Sequence, residues 1–140
     1  MKAAKLILVL ALVYVGIVGA FESLLGFSQP AGQGTMVITT FDADGVGHDR
    51  VVSRLEHDGQ LYAAANHWPR AWYRRATEGP RVEVTFEDRT TRHRAVRPDA
   101  EERESVDSAH PLGLVFRILT GFPPRRFVRL EPVTAQAGSQ

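Results

Sequence analysis

Apolar positions fall into two regimes along this chain. From Leu6 to Phe21, sixteen consecutive residues carry no charge; Lys2 and Lys5 precede them, and Glu22, Leu24, Leu25 and Phe27 follow. As a helix at ~1.5 Å per residue the run covers roughly 24 Å, or about 33 Å if it continues to Phe27, against a hydrocarbon core of about 30 Å. It is long enough to serve as an N-terminal transmembrane anchor over residues 1–27. A cleavable signal peptide is the rival reading, because the two lysines form a basic start and Val18-Gly19-Ala20 offers a small-residue cleavage site. The anchor is preferred, since apolar character resumes beyond that site and would be left exposed on a cleaved product.

After a Pro- and Gly-containing tether over residues 28–35, the period becomes two. Thr35 to Thr40 sets Met36 and Ile38 against Val37 and Thr39, and Arg50 to His57 sets Val51, Ser53 and Leu55 against Val52, Arg54 and Glu56. Asp58-Gly59 then joins the second strand to a third, Gln60 to Asn66, as a two-residue hairpin turn. Pro69 to Thr77 predicts a short helix with proline in its first turn. Arg81 to Glu87 and Thr90 to Arg97 form a second hairpin about Asp88-Arg89, solvated on one face. Pro98-Asp99-Ala100-Glu101-Glu102 opens a helix with acids placed to complement its dipole, and Pro111 to Thr120 predicts a very apolar helix closed by Gly121. Two placements suit this last helix: burial against the barrel, or a position on the bilayer beside the anchor. Arg125 to Glu131 supplies the final strand. Six antiparallel strands with helices after the third and fifth make a small α+β domain, mainly β, built as a barrel over residues 36–132 with a fraying tail over 133–140.

Composition narrows the chemistry. There is no cysteine, which removes disulfides, thiolate metal sites and thiol nucleophiles. From Met36 onward 15 basic residues face 15 acidic ones, leaving no net field to hold a nucleic acid. The five histidines, at 48, 57, 67, 93 and 110, show no metal-ligand spacing, so no metal is expected. Nucleophile-elbow, phosphate-loop and dinucleotide-binding signatures are missing from the sequence.

Four segments carry a resemblance. They are Asp58-Gly59 through Asn66, Pro69-Arg70-Ala71-Trp72-Tyr73, Gly79-Pro80-Arg81-Val82-Glu83-Val84, and the strand ending before Asp99-Ala100-Glu101-Glu102-Arg103. In order and spacing the chain resembles the deazaflavin-dependent nitroreductase or quinone reductase family over roughly residues 39–103. That resemblance implies a flavin-type, FMN-binding-like split β-barrel, hydride transfer to a quinone, nitro or similar small acceptor, deazaflavin (coenzyme F-420) or FMN as cofactor, and a homodimer. Two departures stand out. Where the family has a basic glycine-rich phosphate loop, this chain has Phe41-Asp42-Ala43-Asp44-Gly45-Val46-Gly47-His48-Asp49, and Arg75 replaces the Asn that follows the family's Tyr. Three carboxylates would repel a phosphate.

A flat, anionic cofactor needs an aromatic wall and cationic donors. Trp68, Trp72 and Tyr73 can form the wall; Arg70 and Arg74, four apart on one helical face, and Arg50 and Arg54 on the second strand can rebuild a phosphate clamp. Asn66 sits where the third strand ends. His67 and Tyr73 are the expected proton donors, against the alternatives of a solvent-facing loop histidine and a tyrosine that only packs. If nothing binds, the chain is a non-catalytic, membrane-tethered interaction module that has lost its phosphate loop.

Two lysines and the amino terminus precede the span, and no basic residue follows until Arg50, which favours a cytoplasmic N-terminus and a domain outside. The resemblance pulls the other way, since a reduced deazaflavin is expected in the cytoplasm.

Overall fold

The computed structural model describes residues 2–27, 34–66 and 71–133. Most of the expected tether, the segment His67, Trp68, Pro69 and Arg70, and residues 134–140 lie outside the described residues. In chain order the elements are α1 (Lys2–Phe27), β1 (Thr35–Phe41), β2 (Gly47–His57), β3 (Gln60–Ala65), α2 (Ala71–Glu78), β4 (Val82–Phe86), β5 (Arg89–Val96), α3 (Ala100–Ala109), α4 (Leu114–Leu119) and β6 (Arg126–Pro132).

All strand pairs are antiparallel, and they close a six-stranded barrel in the order β1-β2-β3-β6-β5-β4, with β4 returning to β1. Closure leaves no free sheet edge. β2 begins at Gly47, three residues before the expected Arg50, because it pairs the whole length of β1 from Thr35↔Ser53 to Phe41↔Gly47. The Asp58-Gly59 turn adopts positive φ at both residues (47° and 72°), which fits a two-residue hairpin between His57 and Gln60. The second hairpin turns one residue earlier than the sequence suggests. Its positive-φ pair is Glu87-Asp88, and Arg89 is already paired with Phe86.

Two clusters hold the domain. Inside the barrel, Met36, Ile38, Val52, Val82, Val84, Val128 and Leu130 pack with Ala63 and Ala65, and α2 closes one end with Trp72, Tyr73 and Ala76. Outside it, α3 lays Val106 over Tyr62, Ala64 and Phe127. Thus β3 and β6 are buried on both faces, with alternate residues feeding the two cores. α3 starts where Asp99 caps it, its side chain accepting the Glu102 amide at 2.8 Å.

α1 is long and apolar enough, from Lys2 to Leu25, to cross a membrane by length and composition, and none of that window is buried. α4 buries none of its own residues. Burial against the barrel, one of its two expected placements, is therefore not what the fold adopts. Its contacts are to α1: Tyr14 donates to the Ile118 carbonyl at 2.8 Å, and Phe21 meets Phe116 edge-on at 6.1 Å.

Candidate functional site

At the end of the barrel closed by α2, two adjoining clefts share Arg50 and Trp72 as walls. The wider, about 410 Å³, lies between the start of β2 (Gly47, His48, Asp49) and α2 (Ala71, Arg75). The narrower, about 160 Å³, runs from Ser53 and Asn66 toward Leu25, Leu112 and Phe116. Together they fall in the size range of small-molecule sites.

Trp72, Arg75 and Asn66 are each held by neighbouring side chains. Trp72 is 5% exposed and packs edge-on against Tyr73, centroids 5.9 Å apart. Arg75 donates from Nε to Thr40 Oγ1 at 3.1 Å, and Thr40, fully buried, donates in turn to the His48 carbonyl. The Asn66 amide is oriented from both ends: Nδ2 donates to Ser53 Oγ at 3.2 Å, and Oδ1 accepts from Arg125 Nε at 2.9 Å. Arg125 also donates to Asp107 at 2.5 Å and to the His110 carbonyl at 2.6 Å, and lies over the Phe127 ring. Burial lowers its pKa, and Asp107 opposes that shift.

The acidic loop is largely occupied with itself. Asp42 Oδ1 accepts the amides of Asp44 and Val46, and Oδ2 pairs with His48 Nε2 at 2.8 Å. The His48 hydrogen bond, with the Val46 amide second, holds the Asp42 carboxyl below its usual range. Asp49 accepts from Thr39 Oγ1 at 2.7 Å. These carboxylates cap a turn and join β1 to β2, so part of the repulsion expected from the sequence is offset locally.

Of the expected site residues, the fold brings together Arg50, Asn66 and Trp72. Arg54 lines a different pocket with Met36, Leu61 and Phe86; it pairs with Glu56 and lies over the Phe86 ring at 4.4 Å. Arg74 is exposed and lines neither cleft. Tyr73 belongs to the barrel core, with the Arg97 and Arg126 guanidiniums about its ring at 6.0 and 5.9 Å. His67, Trp68 and Arg70 lie outside the described residues. Arg75 and the apolar roof of Leu25, Leu112 and Phe116 were not singled out as site residues. Arg75 could have been found from its spacing, three residues after Trp72 and so on the same helical face. Among the described residues no group of His, Asp and Glu could hold a metal ion.

A third and larger cleft, about 580 Å³, lies beyond Asn66, between α3 and the segment after α4. Arg125 and Asp107, which line it, are already paired with each other. The Trp72 clefts fit a flat, anionic group better. They offer a buried indole wall, Arg50 and Arg75 as guanidinium donors, and a fixed amide at Asn66.

A six-stranded closed barrel with a cationic and aromatic groove under its first inserted helix is the class that fold and site define. No family model and no curated protein sequence matches the chain. Solved structures do. One, an F420-H2 dependent reductase (FDR-A), superposes with a TM-score of 0.52 at 20% identity, over 74% of this chain and 99% of that one. HutZ, the heme storage protein of Vibrio cholerae, gives 0.54 at 14% identity over 84% and 89%. A structure described as a domain-swapped dimer gives 0.56 at 20% identity over 74% and 84%. These likenesses show the fold: the architecture is the split β-barrel that the sequence resemblance implies.

Proposed function

We propose that this protein is a membrane-anchored oxidoreductase of the flavin or deazaflavin type, acting on a small acceptor such as a quinone or a nitro compound. The observation carrying this reading is the convergence of Arg50, Arg75 and Trp72 on one groove, in a barrel whose architecture also serves an F420-H2 dependent reductase. When bound, reduced FMN or deazaflavin would supply a hydride, a proton with two electrons, to the acceptor, whose reduction is completed by one further proton. Arg50 and Arg75 would hold the phosphate-bearing tail as charge-assisted donors. Trp72 would give the ring a flat wall, and Asn66, pinned by Ser53 and Arg125, would offer it a pre-oriented amide. Leu25, Leu112 and Phe116 exclude water from the narrow end. His67 remains the proposed proton donor to the reduced acceptor. Tyr73 has its ring in the core, and its role in this reading is to support Trp72.

α1 serves as the anchor, with the N-terminus on the cytoplasmic side by its flanking charges. The test is turnover by the full chain in detergent or nanodiscs, with reduced deazaflavin or reduced FMN and a short-chain quinone. Acceptor-dependent oxidation above the protein-free rate supports the reading; none with either cofactor contradicts it. The acidic loop of residues 42–49 favours a second reading, a tethered module without catalysis, and that negative outcome would leave it standing.

A further inference from the structure

We propose that the segment Leu114–Phe122, α4 and the turn after it, enters the bilayer beside the last turns of α1. It is a second membrane contact that opens the narrow end of the Trp72 groove toward lipid-soluble acceptors. This rests on the reading of α1 as a membrane anchor and deepens it by naming the acceptor's route and class.

α4 and its turn meet α1 at Tyr14, Val18 and Phe21. Tyr14 donates to the Ile118 carbonyl, Phe21 packs on Phe116, and a Cβ on Gly121 would lie 3.2 Å from Val18. Spacings of four and three put these residues on one helical stripe. Leu25, four further on, continues it and lines the narrow cleft with Leu112 and Phe116. The uncharged run of α1 ends at Phe21, so Glu22 marks the hydrocarbon boundary. Tyr14 is eight residues deeper, ~12 Å along the axis. Once α1 spans, whatever touches Tyr14 and Val18 is below the lipid surface too.

Side chains and backbone agree with that placement. Leu114, Val115, Ile118 and Phe122 are 65%, 71%, 41% and 50% exposed, an apolar surface continuous with that of α1. Polar backbone in hydrocarbon must find partners inside the protein. The closing carbonyls of α4 have them: Phe116 O accepts from Thr120 N and Oγ1, Arg117 O from Phe122 N, and Ile118 O from Gly121 N and Tyr14. Gly121 serves twice here, by its left-handed φ of +72° and by letting Val18 approach. Arg117, exposed and set over the Phe122 ring at 5.4 Å, can extend its guanidinium to the headgroups.

The chain has no cysteine, so a single introduced thiol reports one position. The full chain is reconstituted in phosphatidylcholine vesicles with an environment-sensitive fluorophore on Val115→Cys, Leu114→Cys, Val9→Cys or Arg89→Cys. Quenching by lipids spin-labelled along the acyl chain is then read. All four positions are exposed, so the substitutions spare the packing. The proposal expects loss of emission at Val115 and Leu114 comparable to that at Val9 within α1, and none at Arg89, the first residue of β5. Quenching at Val9 without quenching at Val115 and Leu114 overturns the proposal and leaves the anchor intact. Quenching at none of them overturns both.

Discussion

The Tyr62 hydroxyl donates to Glu102 Oε1 at 2.6 Å, tying the third barrel strand to the helix inserted after the fifth. Arg129, on the neighbouring strand β6, donates to both oxygens of the same carboxylate at 2.6 Å and reaches Glu131 at 2.9 Å. Three elements that are distant in sequence thus share one charge. Tyr62→Phe should cost about 1–2 kcal/mol in chemical denaturation, and Glu102→Ala more, because it strands the arginine as well. Equal and negligible losses in both would mean that α3 is held by Val106 and Phe127 alone.

The same groups set the pH dependence. Burial pushes the Glu102 carboxyl upward, and the hydrogen bonds from Arg129 and Tyr62 outweigh it, so its pKa lies below 4.5. Its contribution is present above 4.5 and is lost as pH falls through the folded value. Burial, then Glu102, raises Tyr62 from 10 to about 12, so its contribution holds below 10 and fades on the way to 12. Burial lowers His93 from 6.5, so an acid limb begins as pH drops below 6.5. Melting temperature against pH should plateau between 6.5 and 10, and His93→Leu should remove the first part of the acid limb.

Two adjacent arginines separate the site from its surroundings. Arg75 lines the wider cleft and bonds to Thr40, whereas Arg74, one position earlier, is exposed and lines neither cleft. Arg75→Ala should weaken FMN or deazaflavin binding roughly 10-fold or more, the equivalent of one lost charge-assisted hydrogen bond. Arg74→Ala and Arg54→Ala should leave it within about twofold, a shift of under ~0.5 kcal/mol. Isothermal titration of the three variants distinguishes them, and an equal loss in all three would point to a diffuse field rather than a clamp.

Arg125 joins β3, α3 and the segment after α4 through Asn66, Asp107 and the His110 carbonyl. Arg125→Ala should destabilise the fold by about 1–3 kcal/mol and free the Asn66 amide. Arg125→Lys should recover little, since a lysine cannot present the same planar fork to three acceptors. Differential scanning calorimetry beside a binding titration would separate the two effects.

The barrel was readable because its information is local. Alternation in Met36, Ile38 and Thr40, the Asp58-Gly59 turn and the Asp99 cap each act within a few residues. The second hairpin turned a residue early because Glu87 accepts a positive φ that no sequence rule assigns to it. α4 was ambiguous for a different reason: its partner on α1 is about a hundred residues away, and an all-round apolar helix does not say which surface it prefers. Arg50, Asn66 and Trp72 could be grouped from the resemblance. Arg75 rather than Arg74 was within reach of the three-residue spacing to Trp72, whereas excluding Arg54 needed its packing over Phe86 of β4.

The groove beside Trp72 is proposed to hold a flavin-type cofactor. The full chain in nanodiscs, titrated separately with FMN and with the deazaflavin coenzyme while tryptophan emission is followed, tests it directly, because Trp68 and Trp72 are the only tryptophans in the sequence. Saturable quenching by one of the two at micromolar concentration, about 8 kcal/mol of binding, is expected, with its loss in Arg75→Ala. A folded chain whose emission neither cofactor changes would contradict it.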